Sequence, residues 1–317
     1  MGFRGVTFEQ ELKPLMRDFH IGGIVLFKRN IQSPEQLRSL LADAQGFAVE
    51  RLGRRLWVAI DQEGGPVQRF GPGFFQLPSA HDLSLGGANS VEEWGRKSAT
   101  DLRRMGIQIN LAPVLDVFSR EPSHFMEARC LGSDPVQVAR LGRLWIQALQ
   151  GNQISATAKH FPGLGRAESD PHHDVPVIHW NNELEMERDL LPFREAVRAG
   201  VHCMMTSHAF YPFLDPRWPA TLSPKIGDEW LRRRLGFEGV LLSDDMDMAA
   251  VSGRYAMEEI VRQGFASTVD FFLSCQHPEN IEPLARALID GCRRESRMKL
   301  AHEHSLKRLE RLGGHHT

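Results

Sequence analysis

The sequence predicts an α/β fold of the (β/α)8 TIM-barrel class, on three observations. Short apolar runs alternate with amphipathic ones along the chain, and regular βα alternation means a parallel sheet. Asp61, Asp116, Lys159 with His160, His208 and Asp244 each stand at or just past the C-terminal end of a different apolar run. A closed barrel gathers those ends around one mouth, whereas an open doubly wound sheet spreads them along an edge. Neither a Gly-x-Gly-x-x-Gly run after the first strand nor a Walker A loop is present, so the open nucleotide-binding alternative lacks its usual signature.

The elements follow in order. Strands are expected near 21–27, 55–60, 107–114, 154–161, 201–208, 237–244 and 271–275. An eighth lies before or within Gly2-Phe3-Arg4-Gly5; the chain starts late for a barrel, so this first strand is expected to be short or truncated. Helices are expected near 33–50, 91–105, 134–150, 182–199, 223–235, 254–266 and 280–294. Ser33-Pro34-Glu35-Gln36 and Ser90-Val91-Glu92-Glu93 fit capping boxes, and Asp134-Pro135 fits an N-cap with Pro at the first helical position. Gly106, Gly151 and Gly200 stand where left-handed caps would end helices. A last helix, 295–312, is expected on the outside of the barrel, with 313–317 as a frayed tail. Without a Pro/Ser-rich linker or an internal repeat, residues 1–317 read as one domain.

Composition agrees with an ordinary globular chain: 317 residues, 42% hydrophobic and 25% charged. A formal net charge of -2 predicts no global attraction to nucleic acid or anionic membrane. Cys130, Cys203, Cys275 and Cys292 are widely separated and form no Cys-x-x-Cys pair, which argues for free thiols rather than a zinc knuckle or a disulfide scaffold. No apolar run approaches the roughly 18 residues of a membrane span. Residues 1–17 are charged and lack the apolar centre of a secretory signal. A cytoplasmic protein is expected.

Three clusters could carry chemistry. Lys159-His160-Phe161-Pro162-Gly163-Leu164-Gly165 ends a strand with a cation and an imidazole, followed in the loop by Asp170-Pro171-His172. In such a pair a carboxylate can hold one ring nitrogen while the other faces a substrate, and His both donates and accepts protons near neutrality. A solvated polar turn is the plainer reading of 170–174. Zinc is a third, without the helical His-x-x-x-His or thiolates that would support it. Ser243-Asp244-Asp245 ends another strand, where a carboxylate is either a nucleophile at the mouth or an N-cap for the apolar run 246–251. Asp61-Gln62-Glu63-Gly64-Gly65-Pro66-Val67-Gln68-Arg69 follows a third. There Gly64 and Gly65 permit close backbone approach. Asp61 can accept from adjacent hydroxyls and Arg69 can donate a forked pair, with surface ion pairing as the plain alternative.

Together these motifs resemble the β-N-acetylhexosaminidase branch of glycoside hydrolase family 3. That branch shows a Lys-His-Phe-Pro-Gly-x-Gly run before an Asp-x-His pair, a strand-end Ser-Asp-Asp, and Asp-x-Glu-Gly-Gly-Arg-Val-x-Arg. The resemblance runs from Gly2 to about Leu312. Pro66 replaces the usual Arg, which puts a local ion pair with Glu63 in doubt, and Leu164 replaces a common His, read as loop tuning. The resemblance implies a TIM barrel in which Asp244 is the nucleophile and His172 the general acid/base, with Asp170 as its orienting partner. It implies that Lys159 and His160 contact the C4 and C6 hydroxyls of the non-reducing sugar. Arg129, in a Glu127-Ala128-Arg129-Cys130-Leu131-Gly132 context that departs from the family pattern, aligns with a sugar-contacting arginine. His208, in Thr206-Ser207-His208-Ala209, aligns with a pocket-lining histidine, a satisfied core histidine being the alternative.

The implied activity is retaining exo-hydrolysis of terminal β-linked N-acetylglucosamine, with anhydromuropeptides from recycled cell wall as the material. No metal or cofactor is required. The expected partner is a small carbohydrate, in a monomer or weak oligomer without nucleic acid or membrane. A family 3 β-glucosidase and a phosphorylase on the same scaffold are the neighbouring activities. Most such glucosidases draw an acid/base carboxylate from a further domain, for which this chain has no room. A catalytically inactive sugar-binding barrel is the alternative outside enzymes.

Overall fold

The computed structural model of the chain describes residues 1–118, 126–167 and 175–316. Nine strands are described: β1 (Gly23–Leu26), β2 (Trp57–Ile60), β3 (Ile109–Asn110), β4 (Ser155–Phe161), β5 (Cys203–Thr206), β6 (Phe210–Tyr211), β7 (Asp215–Pro219), β8 (Val240–Asp245) and β9 (Phe271–Leu273). Seven of them form one parallel sheet in the order β1-β2-β3-β4-β5-β8-β9, while β6 and β7 pair separately as an antiparallel hairpin. The remaining gap, between β9 and β1, is filled by the first residues of the chain. Gly2 N–H donates to Ser274 O (2.8 Å), Val25 N–H donates to Met1 O (2.8 Å), and the Met1 ammonium donates to Gly23 O (2.9 Å). The expected barrel closes, with Met1 and Gly2 in the eighth position.

The α-helices are α1 (Lys13–Phe19), α2 (Pro34–Leu52), α3 (Ala80–Leu85), α4 (Gly87–Arg104), α5 (Pro135–Gln150), α6 (Glu183–Arg198), α7 (Met257–Ala266), α8 (Ile281–Arg294) and α9 (Ser296–Gly314); a single wide turn over Phe8–Leu12 leads into α1, and a longer π-type helix covers Lys225–Arg234. Two of the expected caps form: Ser33 Oγ accepts from Gln36 N–H and Asp134 Oδ1 from Val136 N–H. The third does not. Gly86 and Gly87 start α4 earlier than expected, which puts Ser90 inside its first turn. Gly106 and Gly200 have positive φ, whereas Gly151 stays right-handed and Gln153 turns the chain instead. Strand β3 is shorter than its apolar run because Pro113 offers no N–H, and pairing resumes at Val114 opposite Lys159.

Two apolar layers result. Inside the barrel, Val25, Ala59, Ile109, Cys203, Met205, Val240, Leu242 and Leu273 pack together with Leu312 of α9. Outside, the opposite faces of the strands meet helix residues such as Leu40, Ala99, Ile146 and Phe193. Helix α9 therefore does more than lie on the outside. Its end covers the N-terminal openings of the strands, where the His315 ring stacks on His202 at 3.9 Å and His316 Nε2 meets Ser155 Oγ at 2.9 Å. No described helix is long and apolar enough to cross a membrane.

Asp270 locks this arrangement. Its side chain is fully buried and accepts from Arg232 Nη2 (3.0 Å), Arg308 Nη2 (2.7 Å) and Leu241 N–H (2.8 Å), which ties β9 to the π-type helix, to α9 and to β8. Removing the carboxylate leaves two guanidinium groups without a counter-charge, a loss of about 3–5 kcal/mol by comparison with other broken buried ion pairs. Asp270→Ala is expected to lower the urea midpoint accordingly. A shift corresponding to less than about 1 kcal/mol, the size of a surface pair, would contradict this.

Candidate active site

The strand ends converge as the sequence predicted, and the mouth is built on fixed backbone. After β2 the chain turns through Gly64 (φ 102°) and Gly65 (φ 54°), conformations that a side chain would strain. Gln62, buried, staples that turn: its Oε1 accepts from Arg69 N–H (3.0 Å), and its own main chain exchanges hydrogen bonds with the Asn110 amide. The staple aims Arg69 at Asp61.

A chain of alternating charges then crosses the floor. Arg69 Nη2 donates to Asp61 Oδ2 (2.9 Å), Lys159 Nζ to Asp61 Oδ1 (2.8 Å) and to Glu63 Oε1 (2.6 Å), and Arg129 grips Glu63 through Nε and Nη2, both at 2.8 Å. Glu63 thus finds Arg129 in place of the local arginine that Pro66 removes. Burial pushes the Asp61 carboxyl up, but the Lys159 and Arg69 cations outweigh it and hold it well below the usual range. Burial likewise raises Glu63, and Arg129 and Lys159 together bring it down to about 2. Lys159 is held above its ordinary value, because Asp61 and Glu63 overcome its desolvation.

This network has a pH signature. Groups whose folded value is depressed contribute stability that is present above the unfolded pKa and is lost as pH falls through the folded one. Stability is therefore expected to decline from about pH 4.5 toward pH 2, through Glu63. Glu63→Gln should flatten that part of a pH series of urea midpoints. An unchanged acid limb would contradict the assignment.

Asp244 lies half-buried at the end of β8. Its Oδ1 accepts from Asp245 N–H (2.8 Å), and Oδ2 has no hydrogen-bond partner among the described residues. Burial raises its pKa, but the His208 and His160 imidazoles, the Asp245 amide and the Lys159 cation bring the net value below the ordinary one. It is a carboxylate at neutral pH with one oxygen open. Its neighbour is different: burial and the charges of Asp247 and Asp244 push Asp245 up to about 7, against the Asp247 and Cys275 amides that it accepts from. The N-cap reading fails here, since residues 246–253 form turns and α7 starts only at Met257. Asp245 instead braces the turn.

His160 Nδ1 lies 2.7 Å from Asp116 Oδ2, and its Nε2 has no partner among the described residues. His208 differs from its expected role as a sugar contact. Burial lowers its pKa, Nε2 donates to the Asp245 carbonyl oxygen (2.9 Å), and Nδ1 meets Thr221 Oγ1 (2.9 Å). With both nitrogens engaged it is the satisfied core histidine, acting on the mouth only through Asp245 and its field at Asp244. Asp170 and His172 lie outside the described residues. The segment before them is rooted by Arg166 Nε on Asp189 Oδ2 (2.7 Å), and the one after them by Ile178 N–H on Phe210 O (2.8 Å).

Asp116, Gln62 and Asn110 are the organising residues that the sequence did not mark as site residues. From sequence, Asp116 stands at a strand end with the others but without a role, while the Gln62–Asn110 pair joins different loops and leaves no local signal. Among the described residues no three His, Cys, Asp or Glu side chains converge where a metal ion could sit. The arrangement can hold an uncharged polyol by its hydroxyls and present an open carboxylate to it.

Comparison with known proteins agrees. The family model described as "Glycosyl hydrolase family 3 N terminal domain" matches residues 1–309. A beta-hexosaminidase of Alkalilimnicola ehrlichii is 36% identical over 298 residues, covering 92% of this chain and 84% of that protein. Among solved structures, a glycoside hydrolase family 3 beta-N-acetylglucosaminidase from Paenibacillus sp. superposes with a TM-score of 0.92 at 33% identity, covering 99% of this chain and 60% of that one. NagZ from Neisseria gonorrhoeae, solved with N-trifluoroacetyl-D-glucosamine, gives a TM-score of 0.78 at 30% identity, covering 95% and 94%.

Proposed function

This chain belongs to glycosyl hydrolase family 3 and is a glycoside hydrolase, and from that premise we propose that it releases terminal β-linked N-acetylglucosamine by exo-hydrolysis with retention. The observation that carries the reading is Asp244, an ionised carboxylate whose Oδ2 has no partner among the described residues, at the mouth of a barrel whose floor is the Asp61–Lys159–Glu63 network. Asp61 and Arg69 bind adjacent hydroxyls, Lys159 gives its third N–H to a hydroxyl farther round the ring, and His160 accepts from another through Nε2. Arg129 serves indirectly: clamped on Glu63, it holds Lys159 in register.

In the first step an Asp244 oxygen forms a bond to the anomeric carbon while the bond to the leaving oxygen breaks, and His172 delivers its proton to that oxygen. In the second, His172 takes a proton from water, whose oxygen displaces Asp244 from the same carbon. Two inversions give net retention. Asp170 holds the His172 Nδ1–H throughout, so that Nε2 gives its proton from the imidazolium in the first step and, now neutral, takes one from water in the second. The reading extends to anhydromuropeptides in the cytoplasm as the natural material, the substrate class that the motif resemblance implies.

The test is initial rates on chromogenic β-N-acetylglucosaminide and β-glucoside, with and without inorganic phosphate. Release from the N-acetyl substrate alone, indifferent to phosphate, is expected. Release that depends on phosphate would establish a phosphorylase, and equal release from the glucoside would establish a glucosidase. Release from neither would leave a binding barrel.

A further inference from the structure

Behind His160 stands a carboxylate that none of the chemical steps above uses. Asp116 is fully buried and lies just past β3. Its Oδ2 accepts from His160 Nδ1 (2.7 Å), its Oδ1 from Leu164 N–H (2.7 Å), and both oxygens share the His160 N–H, at 3.2 and 3.3 Å. Among the described residues, all of its side-chain hydrogen bonds thus fall on one histidine and on the turn that follows it. A carboxylate only accepts, so the ring nitrogen facing it carries the proton. The other nitrogen, Nε2, meets no described group.

We propose that Asp116 is a positioning residue for the glycosidase reaction, acting through His160. It fixes the ring as the Nδ1–H tautomer, so that Nε2 offers its lone pair to a substrate hydroxyl, and its hold on Leu164 N–H sets the start of the turn leaving β4. The inference rests on the glycosidase reading for the identity of what Nε2 meets. Its structural half, the tautomer, stands independently of that reading.

Asp116→Asn separates the two roles of the carboxylate. The amide oxygen can keep the two backbone N–H groups, but the amide NH2 then faces Nδ1 and requires it to accept. The proton moves to Nε2, which becomes a donor where the substrate needs an acceptor. Long-range 15N–1H NMR of the His160 ring is expected to show Nδ1–H in the native protein and Nε2–H in the variant. KM for the N-acetylglucosaminide should rise about tenfold, the scale of one mispaired hydrogen bond, with a smaller change in kcat. In a His160→Ala background Asp116→Asn should add nothing to KM, since its route of action is gone.

An Nε2–H tautomer in the native protein would overturn the proposal, and that measurement needs no variant to fold. An undiminished effect of Asp116→Asn in the His160→Ala background would overturn it too, by showing a merely structural role. If the native protein released no N-acetylglucosamine while the ring showed the Nδ1–H tautomer, the glycosidase reading would fail and the positioning of His160 would stand.

Discussion

Asp244→Ala is expected to lower kcat for a β-N-acetylglucosaminide by about ten-thousand-fold to a million-fold, the range seen when other hydrolases lose a nucleophile. The size follows from the geometry. In the native protein the carboxylate is already ionised and, among the described residues, has one oxygen free of hydrogen bonds, so it needs no deprotonation before it attacks. Water cannot replace it from the same place, because a methyl side chain holds no water at the anomeric carbon. The Asp61–Lys159–Arg69 contacts are untouched, so substrate should still bind and the loss should fall on kcat. Asp245 should ionise more readily in the variant, since the Asp244 charge is one of the causes that push it up to about 7. Circular dichroism and the urea midpoint should remain close to native. Retention of native turnover would remove Asp244 from the mechanism.

The second large effect is expected at His172. His172→Ala should reduce kcat by about a hundred-fold to ten-thousand-fold on substrates with poor leaving groups, the usual contribution of a positioned acid or base. An activated aryl leaving group needs no protonation, so with it the first step should be nearly preserved and the second, which needs a base, should become limiting. The variant should then show a burst of aryl alcohol followed by slow turnover. Its pH profile should lose the limb that the histidine provides. An unchanged pH profile and an unchanged dependence on leaving-group acidity would exclude the Asp170–His172 pair from this role.

What could be read from the sequence followed the range of the interactions. Strand and helix positions are set by local patterns, and the seven later strands fell within a few residues of expectation, β3 excepted, where a single proline interrupts the ladder. Strand-end placement of Asp61, Lys159, His160 and Asp244 was legible for the same reason. The β6–β7 hairpin was not, because the Pro-rich segment 210–219 shows neither clean alternation nor a tight-turn signature. The Glu63–Arg129 clamp joins residues 66 apart in sequence, and only the fold brings them together. His208 illustrates the opposite failure: its strand-end position resembled a substrate contact, yet Thr221, thirteen residues later, and the Asp245 carbonyl engage both ring nitrogens. Likewise Leu312 seats α9 under the barrel, and one apolar residue in an amphipathic helix carries no sign of which surface it will meet.

The measurement closest to the central claim is intact-protein mass spectrometry of the His172→Ala variant, acid-quenched during turnover of an activated aryl β-N-acetylglucosaminide. The variant should accumulate a glycosyl-enzyme. The mass should rise by one N-acetylglucosaminyl unit, and peptide mapping should place that unit on Asp244. An adduct on another residue, or a burst of aryl alcohol with no adduct at all, would contradict the assignment of Asp244 as the nucleophile.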